Sequence, residues 1–304
     1  MRRLTRLLLF LWLLPGCSED SSIEERDVPL EDLEEIIEFG DPGKALNGCY
    51  PAFENNELNV VTWNIKNFPA ENSSTLEKLT EIIPSLDADI IAVQEIADVT
   101  SLLELESQLD GWGAVYANVR YGQELGFVYN KRAFTSLTEP LQLFDDDSYA
   151  FPRQAVLLMA SHVSGLEVVF INIHLKCCGE DGSDEQERRR IASDKIKTYI
   201  DQNHPNDAVI VLGDFNDEII GPSSPFQNFI DDEAFAFADK EIELGPDSNW
   251  SYPSWPSHLD HILISDELFE NLTDVQTIVL ESCVTDFATE VSDHRPVLAS
   301  FSIN

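Results

Sequence analysis

Three observations predict that this chain folds as an α/β layered domain. From Leu58 onward short apolar runs end abruptly in polar residues, and stretches of helical spacing fall between them. Past the extreme N-terminus, no apolar run reaches the roughly 18 to 20 residues that a membrane span needs. Strands are expected over 58–63, 89–94, 113–119, 125–129, 155–161, 166–174, 208–213, 259–264 and 295–302. Each is a short run rich in Val, Ile, Leu or aromatic residues. Helices are expected over 73–83, 100–109 and 185–202; in the last, Ile191, Ile196 and Ile200 stand at intervals among charged residues. The segment 217–256, rich in Pro, Ser and aromatics, reads as a long surface loop over the site. No repeat at a fixed short period interrupts the pattern.

Composition supports a globular body: of 304 residues 43% are hydrophobic and 10% aromatic, with 14 Gly and 15 Pro. With 19 Lys and Arg against 56 Asp and Glu, the net charge is −37. That excludes a protein that wraps DNA by bulk attraction, because affinity for the phosphate backbone needs many cations on one face.

The N-terminus carries an address. Arg2, Arg3 and Arg6 precede an uncharged run from Leu7 to Leu14, followed by Pro15, Gly16 and Cys17. A cationic start, a short apolar stretch and a small residue mark an export signal rather than a membrane helix. Leu14, Gly16 and Cys17 resemble the lipobox of a bacterial lipoprotein, so residues 1–17 are expected to be removed and Cys17 lipidated, anchoring the protein to the bacterial envelope, at the periplasm or cell surface; an ordinary secretory signal that ends in Cys is the alternative. Residues 18–48 then form an acidic tether, in which Leu30, Leu33, Ile36 and Ile37 have the spacing of a short amphipathic helix. The folded domain is expected over 49–304. Cys49, Cys177, Cys178 and Cys283 allow three disulfide pairings, and bonds from the adjacent pair to Cys49 and Cys283 are expected rather than a bond between neighbours.

The chemistry sits at strand ends. Val60-Val61-Thr62-Trp63 runs into Asn64, Ile90-Ile91-Ala92-Val93 into Gln94-Glu95, and Val169 to Ile173 into His174. Val209 to Leu212 runs into Gly213-Asp214-Phe215-Asn216; Asp260 opens another strand, and Ser292-Asp293-His294 precedes Arg295-Pro296-Val297. Carboxylates, amides and imidazoles at the ends of apolar strands converge on one rim of a sheet, as a divalent cation and a proton-transfer pair require.

These six motifs, in this order over residues 58–302, resemble the endonuclease/exonuclease/phosphatase superfamily. The resemblance implies a four-layer αββα sandwich, two mixed β-sheets packed face to face with helices outside. It also implies metal-assisted attack of water on a phosphate ester. Glu95 would be the main ligand of Mg²⁺, or of Mn²⁺ or Ca²⁺, helped by Asn64 and Asp293. Asp260 would orient His294, which takes a proton from the attacking water. His174 would act as acid or as donor to the developing oxyanion, with Glu124 as its partner, as in the deoxyribonuclease I-like branch. Asp214 and Asn216 would hold the water and a phosphate oxygen; members differ over whether Asp214 or the His–Asp pair is the base. Arg153 resembles the branch's phosphate-binding arginine. Two places depart from that branch: Ala97 and Gly122 stand where it carries a minor-groove arginine and tyrosine, which weakens the case for double-stranded DNA.

The resemblance thus implies a monomeric, exported deoxyribonuclease I-like nuclease acting on nucleic acid. A phosphomonoesterase or a sphingomyelinase-like phospholipase is the alternative, and a non-catalytic binding module a third. Trp250, Tyr252 and Trp255 could stack on a base, rest on lipid, or pack beneath their own loop.

Overall fold

Two mixed sheets of short strands carry the described residues, which in this computed structural model are 57–71, 73–178 and 184–303. The readings on residues 1–17, on the acidic stretch to 48 and on Cys49 lie outside them. The first sheet runs β12 (Leu272–Thr277), β13 (Val297–Ser302), β1 (Glu57–Phe68), β2 (Ile90–Ile96), β4 (Glu124–Asn130) and β3 (Trp112–Ala117). The second runs β10 (Phe235–Phe237), β11 (Asp260–Ser265), β9 (Ala208–Asp214), β8 (Glu167–His174), β7 (Ala155–His162) and β5 (Phe134–Leu137), with β6 (Leu141–Leu143) also on β7. One pair in each sheet is parallel, β1 with β2 and β8 with β9; the other pairings are antiparallel.

Side chains alternate across a strand, and this period of two sorts the core into three layers. Leu58 and Val60 of β1 join Phe170, Ile210 and Ile262 between the sheets. Val61 and Trp63 point the other way, onto Leu79 and Ile82 of α1 (Ser73–Ser85) and Leu102 of α2 (Val99–Gln108). On the far side Val169, Ile171, Val209 and Val211 meet Ala192, Ile196 and Ile200 of α3 (Asp184–Asn203). The result is the expected helix–sheet–sheet–helix sandwich. Truncating a residue such as Trp63, which is wholly buried, is expected to cost about 3–5 kcal/mol.

Each expected strand and helix has a counterpart within a few residues. Strands β5, β6, β10 and β12, together with α4 (Gln227–Ile230), α5 (Lys240–Leu244) and α6 (Phe287–Glu290), are not among the expected elements, because elements of six residues or fewer show little periodicity. The expectation of a surface loop over 217–256 is corrected. Phe226, Phe229 and Phe237 are buried, with the rings of Phe226 and Phe237 centred 5.2 and 5.7 Å from Phe215, so the segment is packed against the second sheet. These three phenylalanines serve as core. The disulfide expectation is also corrected: Cys177 and Cys178 bond to each other, with Cys178 in a left-handed backbone conformation at φ 68°. Cys283 is disulfide-bonded as well.

Candidate active site

Five core strands bring their polar residues to one rim of the sandwich. In the second sheet β8 and β11 flank β9, and their register sets both His174 and Asp260 opposite Asp214. Gly213 allows this close approach: at φ 148° it has no Cβ, and one built there would lie 1.9 Å from the carbonyl oxygen of Ile173. In the first sheet Asn64 pairs with Gln94, and the register shifts between Val93 and Ile96. That bulge, with Glu95 at φ 63°, turns the Glu95 carboxylate toward the second sheet. Asn64 spans the gap between sheets, its Nδ2 donating to Asp214 Oδ2 at 3.0 Å and to Glu95 Oε1 at 3.2 Å.

Asp214 is the centre of this arrangement. His174 Nε2 lies 3.4 Å from its Oδ2 and 3.9 Å from Glu95 Oε1, while His294 Nε2 lies 4.0 Å from the same Oδ2. His294 Nδ1 is 2.7 Å from Asp260 Oδ2. Burial, then the charges of Asp260 and Glu95, push Asp214 up to about 7 against the opposing pull of His294 and Asn64. Burial by itself would lower His294, but Asp260, followed by Asp214 and Asp293, outweighs it and raises His294 to about 10. His174 is driven the other way, well below the ordinary imidazole value, by burial and then by the positive charges of Arg153 and His294. It is a neutral donor or acceptor at pH 7.

Arg153 is largely buried. Its Nε donates to Gln123 Oε1 at 3.1 Å, and Gln123 Nε2 in turn donates to Asn67 Oδ1 at 2.7 Å. Burial lowers its pKa while Glu95 and Asp214 oppose that, so the guanidinium faces the carboxylate cluster with an amide as its near partner. This is not a surface ion pair. Asn216, at φ 56°, uses its backbone N–H on Asp214 Oδ1 at 3.0 Å and its side-chain amide on Leu175 O at 3.2 Å, tying together the ends of β8 and β9. Asp293 pairs with Lys66 Nζ at 3.2 Å. The hydroxyl of Tyr252 faces the same cluster: its pKa is raised by burial and then by Asp293, Asp214 and Glu95, with Lys66 opposing. Its ring lies 4.8 Å from the His294 imidazole.

One expected contact does not form. Glu124 accepts the backbone N–H of Val119, and the Nδ1 of His174 is buried without a hydrogen-bond partner among the described residues. The reason is local: β4 begins at Glu124, opposite Ile96, and the turn Arg120–Gly122 brings the Val119 N–H back over that carboxylate. Of the three aromatics of the 250–255 loop, Trp250 packs on the inter-sheet core and Tyr252 lies on His294, while Trp255 is 78% exposed. Gln123, as the partner of Arg153, was missed; a lone glutamine in a turn carries no signal of its own.

The donors around Glu95 suit a hard cation. Glu95 and Asp214 offer carboxylate oxygen atoms, and the crowding that raises Asp214 is the charge a divalent ion offsets; the Asn64 amide turns its Nδ2 to both and its Oδ1 accepts Lys66 N–H at 3.0 Å. The nearest atoms of Asp214, Asp260 and His294 also lie within 4.8 Å of one another, but the His294 Nδ1 to Asp260 bond already engages two of the three.

A family model described as "Endonuclease/Exonuclease/phosphatase family" matches residues 61–294. No curated protein matches the sequence. Among solved structures, truncated TDP2 of Caenorhabditis elegans is similar at 17% identity and a TM-score of 0.59, covering 83% of this chain and 100% of its own. TDP2 of D. rerio, complexed with a single strand DNA product, is similar at 14% identity and TM-score 0.61, covering 81% and 99%. A mannosyl-6-phosphatase of Bacteroides thetaiotaomicron is similar at 16% identity and TM-score 0.58, covering 80% and 98%. At these identities they establish the fold.

Proposed function

We infer the activity from one premise: the chain belongs to the Endonuclease/Exonuclease/phosphatase family and is a phosphoesterase of that superfamily. We propose that it is a divalent-metal-dependent phosphodiesterase, a nuclease acting on nucleic acid. The observation that carries the chemistry is the string Asp260–His294–Asp214, joined through Asn64 to Glu95. Glu95 would hold the cation, with Asp293 nearby and Asn64 joining once its amide turns the oxygen inward. When bound, a hard divalent ion neutralises phosphate charge and polarises a phosphoryl oxygen.

The protein's own groups divide the remaining work. Asp214, whose Oδ2 lies between the two imidazoles and is held by Asn64 Nδ2 at 3.0 Å, is the proton acceptor for the attacking water. His294, kept as an imidazolium by Asp260, donates to a phosphoryl oxygen as charge builds on it. Of the two bases the family resemblance left open, this takes Asp214 and gives His294 the part of donor. Arg153 supplies fixed positive charge, and neutral His174 a further hydrogen bond. The P–O bond to the leaving group breaks as the water oxygen bonds phosphorus; the water's proton goes to Asp214, and the leaving oxygen takes the bonding pair and a proton from solvent.

Tyr252 against His294 and exposed Trp255 on the same loop favour a substrate with flat groups beside the phosphate, which is what a base provides. The solved relative bound to a single strand DNA product agrees with that reading. The test is turnover of circular plasmid, single-stranded DNA, RNA, sphingomyelin and p-nitrophenyl phosphate, each with Mg²⁺ and with EDTA. Metal-dependent cleavage of a nucleic acid without lipid or monoester turnover is expected. Turnover confined to sphingomyelin or p-nitrophenyl phosphate would overturn the nuclease reading. Export and a lipid on Cys17 remain part of the proposal on the strength of residues 1–17, and an unmodified Cys17 in the intact mass of the membrane fraction would refute it.

A further inference from the structure

Behind the site lies a second charged cluster that the chemistry above does not use. Asp239, His258 and His261 are all completely buried. His261 Nδ1 donates to Asp239 Oδ2 at 2.5 Å and its Nε2 to Asp217 O at 3.0 Å. His258 Nε2 donates to the same Asp239 oxygen at 3.0 Å, and its Nδ1 accepts the backbone N–H of Ser251 at 3.2 Å. The other Asp239 oxygen accepts Ile262 N–H at 2.8 Å. The nearest atoms of the trio lie within 4.8 Å, the span of a metal site, yet every ring nitrogen already has a hydrogen-bond partner. Burial would raise Asp239, but its histidines outweigh that and hold it far below the usual carboxylate range; His261 is likewise carried up to about 9 by Asp239 against burial. The cluster is an ion pair with a neutral imidazole beside it.

Its three arms end next to the catalytic groups. His261 follows Asp260 in β11. Asp217 follows Asn216. Ser251 ties down both halves of the proton-transfer pair: its Oγ accepts the backbone N–H of Leu259 and of Asp260 at 3.0 and 3.1 Å, and its carbonyl accepts Arg295 N–H, next to His294, at 2.7 Å. Tyr252, whose ring lies on His294, comes next in the chain.

We propose that Asp239, His258 and His261 are positioning residues, and that through Ser251 this buried network fixes the Asp260–His294 pair in its reactive geometry. The inference rests on the role given to His294 above. Ion pairs of this depth rarely add stability over a well-packed apolar core, whereas removing one partner leaves a costly buried charge; their better-attested use is to specify geometry. The neutral member, His258, is therefore the one to change.

The experiment compares His258→Ala, His258→Asn and His294→Ala in the full chain, with bis(p-nitrophenyl) phosphate and Mg²⁺ as probe. Asn places an acceptor oxygen where Nδ1 stood and restores the bond from Ser251 N–H; Ala cannot. His258→Ala is expected to lose about 10- to 100-fold in kcat with KM within about twofold, and His258→Asn to recover most of that loss. In the metal-free protein, the low-field proton NMR signal of the His294 Nδ1–H bonded to Asp260 should broaden or move upfield in His258→Ala and return in His258→Asn. If His258→Ala fails to fold, Ser251→Ala, which removes only the two bonds to Leu259 and Asp260, must show the same kcat loss and the same shifted signal. An unmoved His294 signal, equal kcat for the Ala and Asn variants, or a loss carried by KM overturns the proposal. Full activity in His294→Ala would instead refute the role of His294, so the two failures are distinct.

Discussion

Replacing Asp260 by Asn tests the central electrostatic argument, since it keeps the shape of the side chain and removes its charge. A rise of His294 from 6.5 to about 10 corresponds to about 5 kcal/mol of preference for the imidazolium. Asp260 is the largest contributor raising it, ahead of Asp214 and Asp293, and acts through a 2.7 Å hydrogen bond on Nδ1. Assigning it roughly half the net preference gives about 2–3 kcal/mol, or about two pH units in the titration of His294. The rate suffers through lost control of tautomer and orientation, since an Asn amide can present its N–H₂ to Nδ1 and turn the ring. Asp260→Asn should therefore lower kcat by at least about 10²-fold, with KM little changed, because the imidazolium acts on charge that develops only in the transition state. The titration of His294, followed by proton NMR on the metal-free protein, should fall by more than about one pH unit. Asp260 Oδ1 is buried without a hydrogen-bond partner among the described residues, so the substitution breaks no second bond and a folded protein is expected. A variant with kcat within a few-fold of the parent, or a His294 titration that does not move, would refute the reasoning.

Other residues give sharper readings of metal, sterics and burial. Glu95→Gln should weaken Mn²⁺ binding by more than about tenfold in calorimetric titration and reduce phosphodiesterase activity by on the order of 10³-fold; unchanged Mn²⁺ affinity would remove Glu95 from the cation site. Gly213→Ala should cost more than about 4 kcal/mol, because its Cβ would meet the Ile173 carbonyl oxygen at 1.9 Å, and Tm should drop by roughly 8–16 °C. Gly111→Ala is the control: it is also left-handed at φ 81° but has nothing within 4 Å, so only the conformational penalty of about 1–2 kcal/mol is expected. Asp89, whose Oδ2 accepts Asn59 N–H at 2.9 Å, is raised from 3.8 to about 6 by burial, with Asp87 adding a smaller push. Its folded pKa exceeds the unfolded one, so its contribution to stability is full below about pH 4 and is lost as pH rises through 6. Asp89→Asn keeps the acceptor without the charge, and chemical denaturation above pH 7 should show it more stable than the parent by up to about 3 kcal/mol, with the difference gone at pH 4.

The residues legible in the sequence share one physical feature. Asn64, Glu95, His174, Asp214 and Asp260 each stand at or next to the end of a core-strand stretch holding at least three apolar residues, so the boundary between apolar run and polar group is sharp, and sheet register then brings them together. His294 was legible through its motif, and its partner Asp260 lies 2.7 Å away as the family resemblance implies. The layered fold was legible for the same reason, since β1, β8 and β9 are long apolar runs buried on both faces, as strands between two layers must be. Strands of three residues such as β6 and β10 hold too few positions to reveal a period.

What was not legible lies one layer further back, and its absence from the sequence reading has a cause. Asp239 and His258 sit in or beside a segment whose Pro, Ser and aromatic content imitates a surface loop, and nothing in the local sequence distinguishes a buried carboxylate from a solvated one. Their placement is decided by Phe226, Phe229 and Phe237, which bury the segment against the second sheet and carry Asp239 to within hydrogen-bond reach of two imidazoles. Glu124 fails in the opposite sense: its position before a strand matched a known partner of His174, but its orientation depends on whether the preceding turn offers a nearer donor, and Val119 N–H does. Residue type at a strand end thus predicts which groups reach the rim, whereas hydrogen-bond competition within a turn, and packing in the layer behind, decide which of them pair. Substitutions in that rear layer should therefore alter kcat without touching any group that meets the phosphate.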